Sequence, residues 1–305
     1  MYGIVDGCNV NQDGPSFYRD VFLFGEEGIP LQANRVINRF VNFPDDQLLI
    51  WLLHHENREL VRIDGVVLPL YGDWSFNFWH WCTEVLPMSL IAHEGGFSGT
   101  YLVPAAPFAA ESLILLGISP GRIRIADRSD YHLECMCLFP KSAGNDEAKT
   151  ASKAKVASLL SAAFARENRD YNLYISRNGN AENMRKVVNE ERLLEILRRY
   201  DFITIRPEEL TLAEQLAYTC NAGALVGPHG AGMTHCAFMP ERSLVIEFFA
   251  PTYINPCVLL PCTLLGHRYY QITSLCLHGG YPHDQDIEVP MQMLEMTLKR
   301  ELGRG

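Results

Sequence analysis

The sequence predicts an α/β protein built on parallel sheet, and three observations carry that prediction. Short apolar runs alternate with helical stretches along most of the chain, the pattern of strands joined by crossover helices. At 305 residues the chain exceeds the usual domain size of about 100–200, so two domains are expected. Its composition, 48% hydrophobic and 20% charged, is that of a globular protein, not a disordered or fibrous one.

The elements read as follows. Residues 1–70 hold the runs VFLF, QLLIWLL and GVVLPLY, separated by turn signals and read as strands and loops. From Asp73 the segment DWSFNFWHWCTEVLPMSLIAHEGG reads as one aromatic helix stopped by Gly95 and Gly96. A strand (Thr100–Val103), a helix (Phe108–Leu116), a strand (Arg122–Ala126) and another strand near Tyr131–Leu138 follow. The polar run KSAGNDEAKTASKAK, Lys141–Lys155, is the linker candidate and leads into a helix to about Arg166.

The second half reads more clearly. Asn172–Ser176 is a strand, Arg177–Arg185 a polar loop, and Glu190–Tyr200 a helix with Asn189 as its cap. After the strand Phe202–Ile205, Thr211 and Glu214 form a capping box that opens a helix running to near Gly223. Ala224–Val226 is a strand, Gly227–Gly232 a glycine-rich loop, Met233–Met239 a short helix halted by Pro240, and Ser243–Phe249 a strand. Right-handed crossovers between such strands give a Rossmann-like layout. Domains are expected at 1–150 and 151–283, and residues 284–305 are expected to form a terminal helix (read from Asp286 to Leu302) that packs back on the first domain.

Charge and composition exclude several partners. Asp and Glu number 36 against 26 Lys and Arg, a formal charge of −10, which repels a phosphate backbone and argues against nucleic acid. No run of 18 apolar residues is uninterrupted, and the opening MYGIVDGCNV lacks the basic-then-apolar signature of a leader. The 9 cysteines are scattered and odd in number, which fits reduced thiols. A soluble, intracellular protein is expected.

Three constellations carry chemistry. The first is Gly227-Pro228-His229-Gly230-Ala231-Gly232-Met233-Thr234-His235, a strand running through glycines into a helix. Such a loop admits a bulky anion to backbone N–H groups at a helix start. It equally admits a packing turn whose glycines only let helix and strand approach. Glu247 lies 20 residues after Gly227, where dinucleotide folds place a ribose-holding carboxylate. The spacing is not GxGxxG, so NAD is not indicated. His229 and His235 read as packed structural histidines or as ligands, without metal-binding spacing. Thr234 is open between helix cap and phosphate contact.

The second constellation is the stripe Asp73, Asn77, His80 and Glu84, at steps of four, three and four along the aromatic helix. It is either a solvated outer face or the wall of a cleft. His80 and Glu84 can hydrogen-bond, fixing a tautomer and raising the basicity of the imidazole. The third is Arg177, just past a strand's carboxyl end, with Arg185 and Asn189 beyond it. Its planar fork suits a pyrophosphate, although loop arginines are common on surfaces. Three other matches carry nothing. Gly117–Gly121 fits GxSxG but has a helix before and a strand after, and Pro120 lacks the N–H an oxyanion hole needs. Asp284-Gln285-Asp286 is read as a helix cap, not a metal-binding DxD. Cys135 and Cys137 have no second pair to make a zinc site.

Taken together, these residues resemble glycosyltransferase family 61. Asn77-Phe-Trp-His80-Trp-Cys-Thr-Glu84-Val-Leu-Pro87 is similar to its amino-terminal motif. Ile175-Ser176-Arg177, Arg185, Asn189-Glu190, EELTLAEQ (Glu208–Gln215), GPHGAGMTHCAFMP (Gly227–Pro240), Glu247 and Leu265-Gly266-His267 follow the family's order over about residues 71–273. Asn178 departs from it, since many relatives carry a second arginine there, which leaves phosphate binding to Arg177.

The resemblance implies a GT-B-like fold, two Rossmann-like domains facing each other across a cleft. It implies an inverting, metal-independent glycosyltransferase, with a nucleotide-sugar co-substrate (UDP-linked) and no cofactor. The acceptor would be a glycan or lipid-linked glycan, in capsule or other polysaccharide biosynthesis. The setting would be cytoplasmic, compatible with peripheral attachment at the inner face of a membrane.

In this reading His80 is the base and Glu84 orients it, with glutamate the competing base. Arg177, Gly227, His229, Gly230, Ala231, Gly232, Met233, Thr234 and Glu247 bind the donor, Glu247 through the ribose. Asn77, Asp73 and Arg185 position sugar or acceptor. The alternatives are a catalytically inactive nucleotide-sugar-binding protein and an NAD-dependent epimerase, the latter opposed by the missing GxGxxG.

Overall fold

The computed structural model describes residues 3–4, 15–25, 27–33, 35–37, 45–55, 58–72, 74–127, 129–139, 146–166, 169, 171–179, 184–274, 281 and 284–303. It divides into two compact units, Met1–Leu159 and Leu160–Gly305.

The first unit contains β1 (Gly3–Ile4), β2 (Ser16–Phe24), β3 (Ile29–Gln32), β4 (Arg35–Val36), α1 (Asp45–Leu53) and β5 (Leu60–Pro69). Then come α2 (Phe78–His80), a π-helical turn Trp81–Val85, α3 (Leu86–Glu94), β6 (Thr100–Val103), α4 (Pro107–Leu115), β7 (Ile123–Ile125) and β8 (Asp130–Leu138). The helix α5 (Asp146–Ala162) follows. The strands form an eight-stranded sheet in the order β1-β4-β3-β2-β8-β5-β6-β7. Strands β8, β5, β6 and β7 are parallel, as expected, whereas β2 is antiparallel to both β3 and β8, and β3 to β4. The Rossmann-like expectation therefore covers half of this sheet. The other half is a hairpin flank, which short connections such as Gly25–Gly28 permit and crossover helices do not. QLLIWLL lies in α1, not in a strand; an uninterrupted apolar run does not separate the two by period, and its leucines favour helix.

The second unit contains β9 (Tyr171–Ile175), α6 (Glu190–Arg198), β10 (Phe202–Ile205), α7 (Leu212–Thr219), β11 (Ala222–Pro228), β12 (Leu244–Phe249), α8 (Leu259–Leu264), β13 (Arg268–Thr273) and α9 (Met291–Leu302). All five strands are parallel, in the order β10-β9-β11-β12-β13. The chain order reverses between β9 and β11. Ligands of open α/β sheets bind outside the carboxyl ends of the strands at such a switch point. The capping box of Thr211 and Glu214 opens α7 as expected.

Both faces of this sheet are covered. Tyr174, Val226, Ile246, Phe248, Leu294 and Leu298 are fully buried in one core, and each such side chain stabilises the fold by about 1.5–3 kcal/mol. The terminal helix belongs to that core: Leu294 and Leu298 are part of it, Arg199 pairs with Glu295, and Tyr270 donates to Glu301. Within the second unit its apolar stripe packs against the face of α6.

Several boundaries differ from the sequence reading. The unit border falls inside α5, past the linker candidate; residues 141–145 lie outside the described residues and 146–155 are helical. Asn189 precedes α6, but its side chain makes no cap. Its amide pairs with both backbone groups of Val289, tying the approach of α9 to α6. Asp286 accepts from the Lys186 N–H and caps no helix. No helix among the described residues is long and apolar enough to cross a membrane.

Candidate active site

In the first unit a candidate site grows from a helix that changes pitch. Asn77 Oδ1 accepts from the Trp79 N–H at 2.9 Å and caps α2. Residues 74–77 form turns, with Ser75 N donating to Gly72 O and Asn77 N to Trp74 O. The expected four-residue polar stripe is therefore not one helix face: Asn77 is a cap, and Asp73 lies outside the described residues. Beyond His80 the backbone widens into the π-turn, closed by Leu86 N–H on Trp81 O. Pro87 explains why: it has no N–H to continue an α ladder and its ring crowds the preceding turn, so the chain inserts a residue before α3 starts. The Thr83 hydroxyl donates to Trp79 O at 2.8 Å, steadying the join.

The π-turn places Glu84 against His80, with Nδ1 and Oε1 2.7 Å apart and both side chains about one-third exposed, 32% and 38%. A carboxylate only accepts, so His80 Nδ1–H donates to it, and the ring's other nitrogen, Nε2, keeps its lone pair for a proton. The pair stands on the wall of a cavity of about 650 Å³, measured with its open mouth, within the first unit. The cavity lies at the end of β5, where the chain order reverses between β5 and β8.

In the second unit a candidate site lies at the switch point of the five-stranded sheet. Beyond β9, Arg177 donates from Nε to Met184 O at 2.8 Å. A Cβ built on Gly230 would lie 2.2 Å from Arg177 Nη1 and 3.7 Å from an Arg185 nitrogen, so both guanidinium groups converge on this one glycine. Gly230 has φ +157° and ψ −176°, a region open almost only to glycine. Arg185 itself adopts φ +60°, and its Nε is buried without a hydrogen-bond partner. Its fork stands 5.7 Å from the Tyr253 ring. Burial, then the neighbouring charge of Arg185, pulls the Arg177 guanidinium down to about 10. Burial also lowers Arg185. Two half-buried cations held close together are an electrostatic cost that an anion relieves.

Asn178 holds backbone. Its amide donates to Val187 O and accepts from Val187 N, which pins the strand of loop bearing Arg185 beside Arg177. The arginine that stands beside Arg177 is Arg185, expected from the sequence to position sugar or acceptor.

The glycine loop divides its work. Gly227 and Gly232 face Ile175 and Met233 at 3.0–3.2 Å from a built Cβ, so they serve close packing; Gly230 faces the arginines. The segment Ala231–Phe238 is a 3-10 helix, not an α-helix, and its ladder begins with Met233 N–H on Gly230 O. The N–H groups of Ala231 and Gly232 precede that ladder. Met233 is fully buried, and the Thr234 hydroxyl donates to Ala231 O at 2.5 Å, so both side chains support the loop instead of facing a ligand. His235 is likewise structural, bonded to Thr219 and Gln215.

Glu247 is 0% exposed. One oxygen meets His229 Nδ1 at 2.7 Å and the other accepts from the Tyr269 hydroxyl at 2.7 Å. A carboxylate so enclosed does not reach a ribose, and the expectation that it would is corrected: it fixes His229, whose ring stacks on Phe249 at 4.8 Å and meets Tyr253 edge-on. The reason is register, since Glu247 pairs with Gly227 in adjacent central strands whose faces are both covered. Tyr253 and Tyr269 were missed in the sequence; Tyr269 sits on β13, whose signal was too weak to place. His267 clamps β12 to β13, accepting from Ser243 N and donating to Cys236 O.

What fold and site define is an α/β protein with two convergent arginines at the carboxyl edge of a parallel sheet and a histidine–carboxylate pair on a separate unit. The Glycosyltransferase 61 family profile matches residues 78–246, more than half of the chain. The chain belongs to that family of glycosyltransferases.

Among individual proteins it is similar to the EGF domain-specific O-linked N-acetylglucosamine transferases. The Drosophila melanogaster protein is 40% identical over 68 residues, 21% of this chain and 13% of that one. The Gallus gallus protein is 31% identical over 106 residues, 33% of this chain and 19% of that one. The Mus musculus protein is 33% identical over 70 residues, 21% and 13% of the two chains. The chain thus matches less than one-fifth of the length of each of these relatives.

Proposed function

We propose that this chain is an inverting, metal-independent glycosyltransferase of the GT-B type. It moves a sugar from a nucleotide diphosphate donor, UDP-linked, to a hydroxyl of a glycan or lipid-linked glycan. The second unit holds the donor diphosphate and the first supplies the base. The observation that carries this reading is the convergence of Arg177 and Arg185 on Gly230 at the switch point of the parallel sheet, inside the region that matches the family.

In this mechanism the acceptor hydroxyl gives its proton to His80 Nε2 as its oxygen attacks the anomeric carbon. The bond from that carbon to the diphosphate oxygen breaks on the opposite side, which inverts the centre. Glu84 holds the tautomer and stabilises the imidazolium that forms. Charge builds on the leaving diphosphate, and the two arginines with the Ala231 and Gly232 amides neutralise it. Arg185 acts on the donor here, and Glu247 acts through His229. The acceptor comes from polysaccharide assembly, at the cytoplasmic face.

Thermal-shift titration with UDP, GDP, CMP and their sugars tests the donor half. A shift with one nucleotide series that Arg177→Ala removes supports the reading, and no shift with any overturns it. Product formation from the bound donor then separates an enzyme from a binding protein.

A further inference from the structure

We propose that the cavity beside His80 is the acceptor site and that it takes a pyranose ring stacked on Trp74, which makes the acceptor a glycan and not a polypeptide side chain. The assignment of this cavity to the acceptor rests on the reading of His80 as base.

Every wall of the cavity comes from the first unit. The end of β5, the turn Tyr71–Ser75, the β2–β3 turn carrying Glu27 and the His80–Glu84 pair enclose it. The enclosure is fixed where two turns meet: Gly72 has φ +98°, and a Cβ there would lie 2.1 Å from the Glu27 carbonyl oxygen.

Two residues of the wall carry hydroxyls that are buried with no hydrogen-bond partner among the described residues, Tyr71 Oη and Ser75 Oγ, and Ser75 as a whole is 4% exposed. Buried hydroxyls are as a rule partnered, so two unpartnered ones around one cavity point to a ligand bearing polar groups of its own. Glu27 and Glu84 also line the cavity, while Leu23, Met88 and Met136 supply apolar surface.

Trp74 has the opposite character. It is 52% exposed, with its ring 5.9 Å from that of His80 and inclined by 26°. An indole standing in water beside the base offers a flat apolar face at the cavity wall. A pyranose matches this set of groups, with one face of C–H bonds for the indole and a rim of hydroxyls for Tyr71, Ser75 and the carboxylates. One common way to hold a polypeptide acceptor is by main-chain bonds along a sheet edge. The strand that ends at the cavity, β5, offers no edge, being paired with β8 on one side and β6 on the other.

Saturation-transfer NMR on the full chain tests this, with methyl β-pyranosides of the gluco, galacto, manno and xylo series and a serine- and threonine-containing peptide as probes. The expected result is a saturable signal from at least one glycoside. Trp74→Ala weakens it about tenfold, Trp74→Phe largely restores it, and Ser75→Ala weakens it less than Trp74→Ala. No saturable glycoside signal, a signal indifferent to Trp74→Ala, or saturable binding of the peptide in place of the glycosides overturns the proposal. The measurement needs neither donor nor turnover. Glycoside binding without any nucleotide response would therefore sink the transferase reading and leave the pyranose site standing.

Discussion

His229 Nδ1 and Glu247 Oε1 stand 2.7 Å apart with the carboxylate wholly removed from water. Because Tyr269 occupies the other oxygen, Glu247 is a fixed anchor for the ring beneath the glycine loop. Glu247→Gln replaces one of the two accepting oxygens with an NH2 group and removes the charge, and is expected to destabilise the protein by about 1–3 kcal/mol. Urea denaturation reads that loss. Tyr269→Phe, which removes one donor and leaves the carboxylate in place, is expected to cost less.

Arg177→Ala and Arg185→Ala are each expected to weaken donor binding by about tenfold to a hundredfold, corresponding to charge-assisted bonds of about 1.5–3 kcal/mol. Arg177→Lys restores little, because a point charge does not replace a planar fork. Isothermal titration with the nucleotide diphosphate checks both. Equal affinity in Arg185→Ala would return that residue to the acceptor side.

His80→Ala is expected to lower the transfer rate by about a hundredfold or more while nucleotide affinity stays within about twofold. Glu84→Gln keeps the shape but loses the charge that stabilises the imidazolium, and a smaller loss, about tenfold, is expected in kcat. Steady-state kinetics alongside titration separates the two effects. Full turnover in His80→Ala would assign proton removal to Glu84.

Pro87→Ala returns an N–H to the helix and lets the π-turn relax toward α geometry. The expected outcome is a transfer rate about tenfold lower with a melting temperature that does not fall. Circular dichroism melts and initial rates measure the two sides.

The fold should weaken in acid through His235. Burial pulls its imidazole down from 6.5 to about 4. Between those values the unfolded chain binds the proton and the folded chain does not, so stability falls as pH falls through the window. The shift is worth up to about 3 kcal/mol, and His267, also lowered by burial, acts in the same direction. Urea midpoints across that window should drop in the wild type and flatten in His235→Gln.

Much of the second unit was legible because strand and helix periods alternate there with clear punctuation, as at Thr211–Glu214 and Gly230. The His80–Glu84 pair was legible from spacing alone. Three things were not. A central strand is buried on both faces, so period gave no direction for Glu247, and its distance from Gly227 suggested a ribose contact that burial forbids. Phosphate binding was left to Arg177 alone, because nothing in the sequence shows that Arg185 comes beside it across a loop while Asn178 holds backbone. The cavity's outer wall comes from residues 23–30, where apolar runs announce strands but not what they face. Pro87 was the one local sign that the aromatic helix would change pitch.

The wide turn between Trp81 and Val85 also sets what could be transplanted from this protein. Copying the imidazole and its carboxylate four positions apart onto an ordinary helical scaffold would aim them differently, because the inserted residue rotates everything that follows. The portable piece is the whole stretch from Asn77 to Pro87, carrying its own opening clasp and its own imino acid.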